Sequence, residues 1–270
     1  MKVSYDDGQI ALYDGDAVNV VRNLPVASAD CVVTSPPNWG LRDYGVAGQW
    51  GAEPSVDDYV ARLAELFDEL AVVLAPRGTV WLNLGDSYGG SWGHYVAAGS
   101  ESRTARQRSQ TPYGTLRPPQ ASYRPKDLVG VPWRVVLALL DRGWLLEREI
   151  IWHKPYARPE SVRDRFAHQY ENIFVLARDQ RDRCETGETS VWSVSSDRGR
   201  VGHPAKGTLE IARRCVRRGC RPGGTVLDPF SGGGTTGIAA REHRCRYIGV
   251  DLNPACHELA LQRRGLSNDC

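Results

Sequence analysis

Short apolar runs and amphipathic stretches alternate along most of this chain. Ile10 to Tyr13 is a β-prone run ending at Asp14-Gly15-Asp16, and Ala17 to Leu24 then has helical spacing up to Pro25. Asp30 to Thr34 (DCVVT) reads as a parallel strand buried on both faces, stopped by Ser35-Pro36-Pro37. Val56 to Leu74 places Tyr59, Leu63, Leu66, Leu70 and Val73 on one helical stripe, and Ala75-Pro76-Arg77-Gly78 turns the chain into a strand over 79–84. The spacing then predicts a helix over 132–141, strands near 147–152 and 172–177, and a helix over 209–218. The last third gives a strand over 225–227, a glycine loop, a helix from Thr235 to about His243, a strand over 247–250 and a closing helix from Pro254.

This alternation predicts an α/β fold, one mostly parallel sheet with helices on both faces, and ligands in the crevice beyond the carboxyl ends of the strands. The chain of 270 residues is expected to form a single domain, with a basic loop insertion at about 88–130 and a short candidate target-recognition segment at about 179–201. At 41% hydrophobic and 24% charged, with no apolar span near 20 residues and no secretory leader pattern at the start, the sequence argues against a membrane protein. The expected compartment is cytoplasmic. Seven cysteines without a C-x-x-C pair suggest neither a disulfide framework nor a metal site, so no metal is expected.

Two loops at predicted strand ends carry the chemistry. The first, Asp228-Pro229-Phe230-Ser231-Gly232-Gly233-Gly234-Thr235-Thr236-Gly237, follows a strand and opens a helix, and Gly232, Gly234 and Gly237 satisfy G-x-G-x-x-G. Asp251 ends the next strand 19 positions after Gly232, where a Rossmann-type site holds ribose hydroxyls. No Gly-Lys-Ser/Thr follows, which argues against a triphosphate site. A carboxylate at the loop mouth would repel a pyrophosphate, whereas S-adenosylmethionine brings a sulfonium and an ammonium that Asp228 can pair with.

The second loop is Thr34-Ser35-Pro36-Pro37-Asn38-Trp39-Gly40. Two prolines have fixed φ and no amide hydrogen, so they make a stiff loop of acceptors. Hydrogen bonds from an exocyclic amine to the Ser35 hydroxyl and the Pro36 carbonyl would localise the nitrogen lone pair and aim it at an electrophile, so positioning and electrostatics would supply most of the catalysis. Trp39 and Tyr44 are candidates to stack on a base rotated out of a duplex.

On these residues the sequence resembles the beta-class DNA amino-methyltransferases, in which an S/D-P-P-Y motif precedes the cofactor motif. The resemblance covers nearly the whole chain. It includes Gly40-Leu41-Arg42-Asp43-Tyr44-Gly45, Trp81-Leu82-Asn83-Leu84-Gly85-Asp86-Ser87-Tyr88, Ile151-Trp152-His153-Lys154-Pro155, Pro159-Glu160-Ser161-Val162, Asp164-Arg165 and His203-Pro204-Ala205. It implies a permuted Rossmann-like methyltransferase sheet and S-adenosylmethionine as methyl donor. It also implies a catalytic loop of Ser35, Pro36, Pro37, Asn38 and Trp39, and a cofactor site of Asp16, Thr34, His203, Asp228, Phe230, Gly232, Gly234, Thr235, Thr236 and Asp251. Ser35 tilts the target towards N4 of cytosine; N6 of adenine is the alternative. Asn38 stands where the family has Tyr, and Tyr156 where Asn commonly follows Lys-Pro, so the two identities look exchanged. Either Tyr156 supplies the stacking ring, or Trp39 does and Tyr156 is incidental, or Asn38 has weakened or redirected the chemistry.

The net charge of +2 says little about partners, but its distribution says more. Between Tyr88 and Pro125 stand Arg103, Arg106, Arg108, Arg117 and Arg124 against one acidic residue, Glu101, with tyrosines interspersed. Such a stretch suits the phosphates of double-stranded DNA. A solvated loop is the alternative. A homodimer and a companion restriction endonuclease stay open as partners. The competing readings are a DNA methyltransferase, a DNA-binding relative that no longer catalyses, and an NAD-type oxidoreductase.

Overall fold

The computed structural model describes residues 2–42, 44–89, 123–124, 127–156, 166–179, 187–195, 208–262 and 266. Within them run β1 (Lys2–Asp6), β2 (Ile10–Asp14), α1 (Ala17–Val21), β3 (Ala29–Thr34), α2 (Val56–Val73), β4 (Leu74–Leu84) and α3 (Val131–Asp141). Then follow β5 (Leu145–His153), β6 (Tyr170–Ala177), β7 (Val191–Ser193), α4 (Leu209–Gly219), β8 (Thr225–Asp228), α5 (Thr235–Glu242), β9 (Arg246–Asp251) and α6 (Pro254–Leu261).

The strands form one sheet in the order β1-β2-β9-β8-β3-β4-β6-β5-β7. Pairings are parallel from β2 through β9, β8 and β3 to β4, and between β5 and β7. They are antiparallel where β1 meets β2 and where β6 lies between β4 and β5. The chain leaves β3 for β4 on one side and β8 for β9 on the other, so the strand order reverses between β3 and β8. Ligands of open α/β sheets bind at such a switch point. Because β6 runs backwards, its first residues lie at the same end of the sheet as the last residues of β3, β4, β5 and β8.

The helices cover both faces. α1, α2 and α3 bury their apolar stripes on one side, among them Tyr59, Leu63, Leu66, Leu70 and Val73 of α2 as the spacing predicts. Helices α4, α5 and α6 pack on the other. α2 starts where Ser55 accepts the Asp58 N–H at 3.1 Å, with Asp57 and Asp58 in its first turn facing the positive end of the helix dipole. Strand β8 is buried at every position, which is why Thr225 to Leu227 shows no polar alternation.

The differences from the expected elements have local causes. β1 is a short edge partner of β2, and β7 has three residues; neither is long enough to show a period. β4 begins five residues before position 79, with Arg77 at φ 66° inside the turn-like stretch. The candidate recognition segment at about 179–201 contains β7, which joins the sheet beside β5. No helix among the described residues is long and apolar enough to cross a membrane, and those residues hold no cluster of metal-ligating side chains.

Candidate active site

The two predicted loops leave the sheet side by side. Thr34 ends β3, Asp228 ends the adjacent β8, and the Thr34 hydroxyl donates to Asp228 Oδ1 at 2.8 Å. Asp228 Oδ1 also accepts the Phe230 N–H at 3.1 Å, which folds the glycine loop back over its own strand. The carboxylate is 4% exposed. Burial pushes Asp228 up from 3.8 to about 6, against the opposing hydrogen bonds from Thr236, Thr34 and Phe230.

Across the glycine loop, Asp251 ends β9. Its Oδ2 accepts the Gly232 N–H at 2.9 Å and its Oδ1 the Asn253 N–H at 2.8 Å. The Cys256 thiol also reaches this carboxylate, and the three groups together leave part of its acceptor capacity for another donor. Gly234 caps α5 at φ 70°, and a Cβ there would sit 2.8 Å from the Leu266 side chain. Glycine is thus required both by backbone angle and by space. Ser231 ties the loop down from below: its hydroxyl meets His257 Nε2 at 3.0 Å, and His257 Nδ1 meets Asp14 Oδ1 at 3.0 Å. That chain has the order of a hydrolase triad, but Ser231 is 5% exposed and His257 is fully buried, so it supports the loop rather than facing a substrate.

Asp16 lies beside this loop, but its carboxylate is already engaged. Oδ1 caps α1 by accepting from Val18 and Asn19, while Oδ2 takes the Trp50 indole N–H at 3.1 Å and the Arg62 guanidinium at 3.2 Å. Arg62 also pairs with buried Glu53 at 2.9 Å and lies 4.0 Å above the Trp50 ring. Trp50 meets Phe230 edge to face, with centroids 5.1 Å apart. This places Phe230 and Asp16 in one wall with Trp50 and Arg62, two residues the sequence reading did not single out.

The Ser-Pro-Pro loop is braced from three sides. Tyr59 of α2 donates to the Pro37 carbonyl at 2.9 Å, so that carbonyl is not an open acceptor. Gly51, at φ 82°, lies against the Pro37 and Asn38 carbonyls, where a Cβ would come within 2.8 Å of Asn38 O. Asn38 Oδ1 accepts the Gly85 N–H at 3.1 Å, tying the loop to the tip of β4. Ser35 stays exposed, and its hydroxyl oxygen accepts from Asn83 Nδ2 at 3.3 Å. Asn83 Nδ2 also donates to Glu171 Oε2 at 2.8 Å, and Lys154 pairs with the other oxygen of Glu171.

One expected stacking residue is corrected. Trp39 is 1% exposed; its indole N–H donates to Glu53 O at 3.0 Å and its ring packs on Tyr123, so it is core and offers no face to a base. Tyr44 is half-buried. Burial raises its phenol against the opposing charge and hydrogen bond of Arg42. Tyr156 is 71% exposed, two residues beyond Lys154. Thr235 and Thr236 are buried in the first turn of α5. Arg103, Arg106, Arg108, Arg117 and His203 lie outside the described residues, as does most of the basic stretch. Cys31, Cys215, Cys220 and Cys245 are buried and Cys256 is half-buried.

Glu171, Glu53, Arg62 and His257 escaped the sequence reading because each gains its role from a partner far away in the chain. Asn83 and Lys154 stood inside quoted motifs, but nothing in their spacing joined them to Ser35.

Comparison with known proteins shows the family. The sequence profile described as DNA methylase, covering N6 and N4 methyltransferases, matches residues 29–262. The type II methyltransferase M.SmaI of Serratia marcescens is 40% identical over 266 residues, spanning 92% of this chain and 88% of that protein. Among solved structures, a DNA modification methylase of Thermus thermophilus, in complex with S-adenosyl-L-methionine, shares the fold at a TM-score of 0.66 and 24% identity, covering 95% of this chain and 94% of that one. The cytosine-N4-specific PvuII DNA methyltransferase shares it at a TM-score of 0.73 and 17% identity, covering 98% and 91%. On the strength of the profile match and the M.SmaI identity, the chain belongs to the N6/N4 DNA methylase family.

Proposed function

We propose that this protein transfers a methyl group from S-adenosylmethionine to the exocyclic N4 of cytosine in double-stranded DNA. The observation that carries the reading is the 2.8 Å bond between Thr34 and Asp228, which sets the exposed Ser35 hydroxyl beside the root of the glycine loop. The residues fit the donor. Asp251 retains acceptor capacity for a ribose hydroxyl, Asp228 brings negative charge suited to a cation, and a pyrophosphate would meet both carboxylates. Phe230, partly exposed and backed edge to face by the buried Trp50, offers a ring suited to a purine.

When bound, S-adenosylmethionine supplies an electrophilic methyl carbon, whose bond to sulfur breaks, with its electron pair, as the bond to nitrogen forms. The chain's own part is to hold the amine. Ser35 and the Pro36 carbonyl accept its N–H groups, the braced loop fixes their positions, and the surplus proton leaves to solvent. The cytosine preference rests on Ser35 in Thr34-Ser35-Pro36-Pro37. Arg103, Arg106 and Arg108 serve as phosphate contacts, Tyr156 as the exposed ring for a flipped base, and residues 88–130 with 179–201 as the reader of sequence. Type II methyltransferases among the relatives support a companion restriction endonuclease.

The test is methylation of unmodified DNA with tritiated donor, followed by digestion to nucleosides and mass identification. N4-methylcytosine is the expected product. N6-methyladenine would overturn the base assignment, and cofactor binding without transfer would identify a relative that has lost catalysis.

A further inference from the structure

We infer that Glu171, held by Lys154, is a positioning residue for the Ser35 hydroxyl and acts through the side-chain amide of Asn83. The inference rests on the reading of Ser35 as the group that meets the target amine, and it adds a part of the machinery that lies behind it.

Three strands deliver the parts. Asn83 sits on β4, Glu171 on β6 and Lys154 just past β5, and the reversed course of β6 brings them to the end of the sheet where Ser35 stands. Asn83 Nδ2 bridges Glu171 Oε2 at 2.8 Å and Ser35 Oγ at 3.3 Å, while Lys154 takes Glu171 Oε1. Both members of the ion pair are 19% exposed, and the Lys154 ammonium also lies 4.3 Å from the centre of the Trp152 ring. The pair is thus largely withdrawn from solvent, where charges act over short distances with little screening.

An asparagine amide is nearly symmetric in shape, so its partners decide which end points where. Turning Asn83 over would set its carbonyl oxygen against the Glu171 carboxylate, two negative groups at hydrogen-bond distance. Glu171 therefore dictates that an N–H, not a carbonyl, faces Ser35. The orientation has a visible cost: Asn83 Oδ1 is buried and has no hydrogen-bond partner among the described residues. A buried orphan acceptor calls for an explanation, and here it is the demand at the other end of the amide.

Two consequences follow for Ser35. Its hydroxyl proton cannot point at Asn83, so that proton and the remaining lone pair are turned to the exposed side, where the base edge enters. The negative end of the Lys154–Glu171 dipole also stands behind the hydroxyl, on the side where the attacking amine gains positive charge. Preorganised dipoles aimed at developing charge raise the rate of the chemical step without tightening ground-state binding.

The experiment compares wild type with Glu171→Gln, Asn83→Ala, their double variant, Lys154→Met and Lys154→Arg. It reads single-turnover methyl transfer to unmodified DNA, cofactor and DNA affinity, and the side-chain NH2 resonances of asparagine-labelled protein without cofactor or DNA. Glu171→Gln should slow the chemical step at least tenfold while both affinities stay within twofold. It should slow it no further in the Asn83→Ala background, because the two act in series. The Asn83 NH2 signal, identified by its loss in Asn83→Ala, should move in Glu171→Gln. Lys154→Arg should retain more of the rate than Lys154→Met. An unchanged rate in Glu171→Gln or Lys154→Met, or independent multiplying losses in the double variant, would reduce the cluster to a strand staple and overturn the inference. A wild type that binds cofactor yet methylates no DNA would overturn the reading of Ser35, and this inference with it.

Discussion

Replacing Asp228 by asparagine should make the free protein more stable and the cofactor site worse. The carboxyl is buried and raised from 3.8 to about 6, so ionising it in the folded state is unfavourable. At about 1.4 kcal/mol per pH unit, the shift is worth roughly 3 kcal/mol. The folded state holds this proton more tightly than the unfolded chain. The stabilisation it brings is complete below pH 3.8 and disappears as pH rises through 6. Asparagine has no such proton. Its carbonyl can still accept from Thr34 and the Phe230 N–H, so the local geometry is retained. The stability advantage of Asp228→Asn over wild type should therefore grow between about pH 4 and 7 and level off near 3 kcal/mol above, on the order of 5–10 °C in Tm. Urea unfolding of both proteins across that range measures it. In the same preparations, affinity for S-adenosylmethionine should fall roughly ten- to hundredfold, the value of a charge-assisted contact. A stability difference that does not vary with pH would refute the burial argument. Unchanged cofactor affinity would refute the role given to the carboxylate.

Three further outcomes follow from the same geometry. Trp39→Ala should lower stability by about 3–5 kcal/mol, since the ring is core; loss of methylation with unchanged urea unfolding would instead restore it as a base-stacking residue. Gly234→Ala forces a side chain into the left-handed region and against Leu266, a strain of about 1–3 kcal/mol, and calorimetric titration should show weaker cofactor binding than in wild type. Arg62→Met leaves buried Glu53 without its counter-charge and should destabilise by roughly 3–5 kcal/mol by thermal unfolding; restoring stability with Glu53→Gln in the same chain would confirm that the unpaired charge is the cause.

Local pattern alone determined much of this protein. The apolar runs that became β3 and β8 are legible because strands buried on both faces cannot carry polar alternation. The stripe of α2 is legible because one helical face must meet the sheet. Pro36-Pro37 and Gly232 to Gly234 announce themselves because proline and glycine carry backbone constraints in their own identity, and the distance from Gly232 to Asp251 is set by one helix and one strand between them. Only the tertiary structure decided what the side chains do. It turned Trp39 inwards and occupied both oxygens of Asp16. It gave Tyr59 to the Pro37 carbonyl, and it carried Glu171 and Lys154 to Ser35 by running β6 against its neighbours. These are contacts between residues far apart in the chain, and neither composition nor period encodes which distant groups share a hydrogen bond. That is settled by strand order and register, which exist only once the chain has folded.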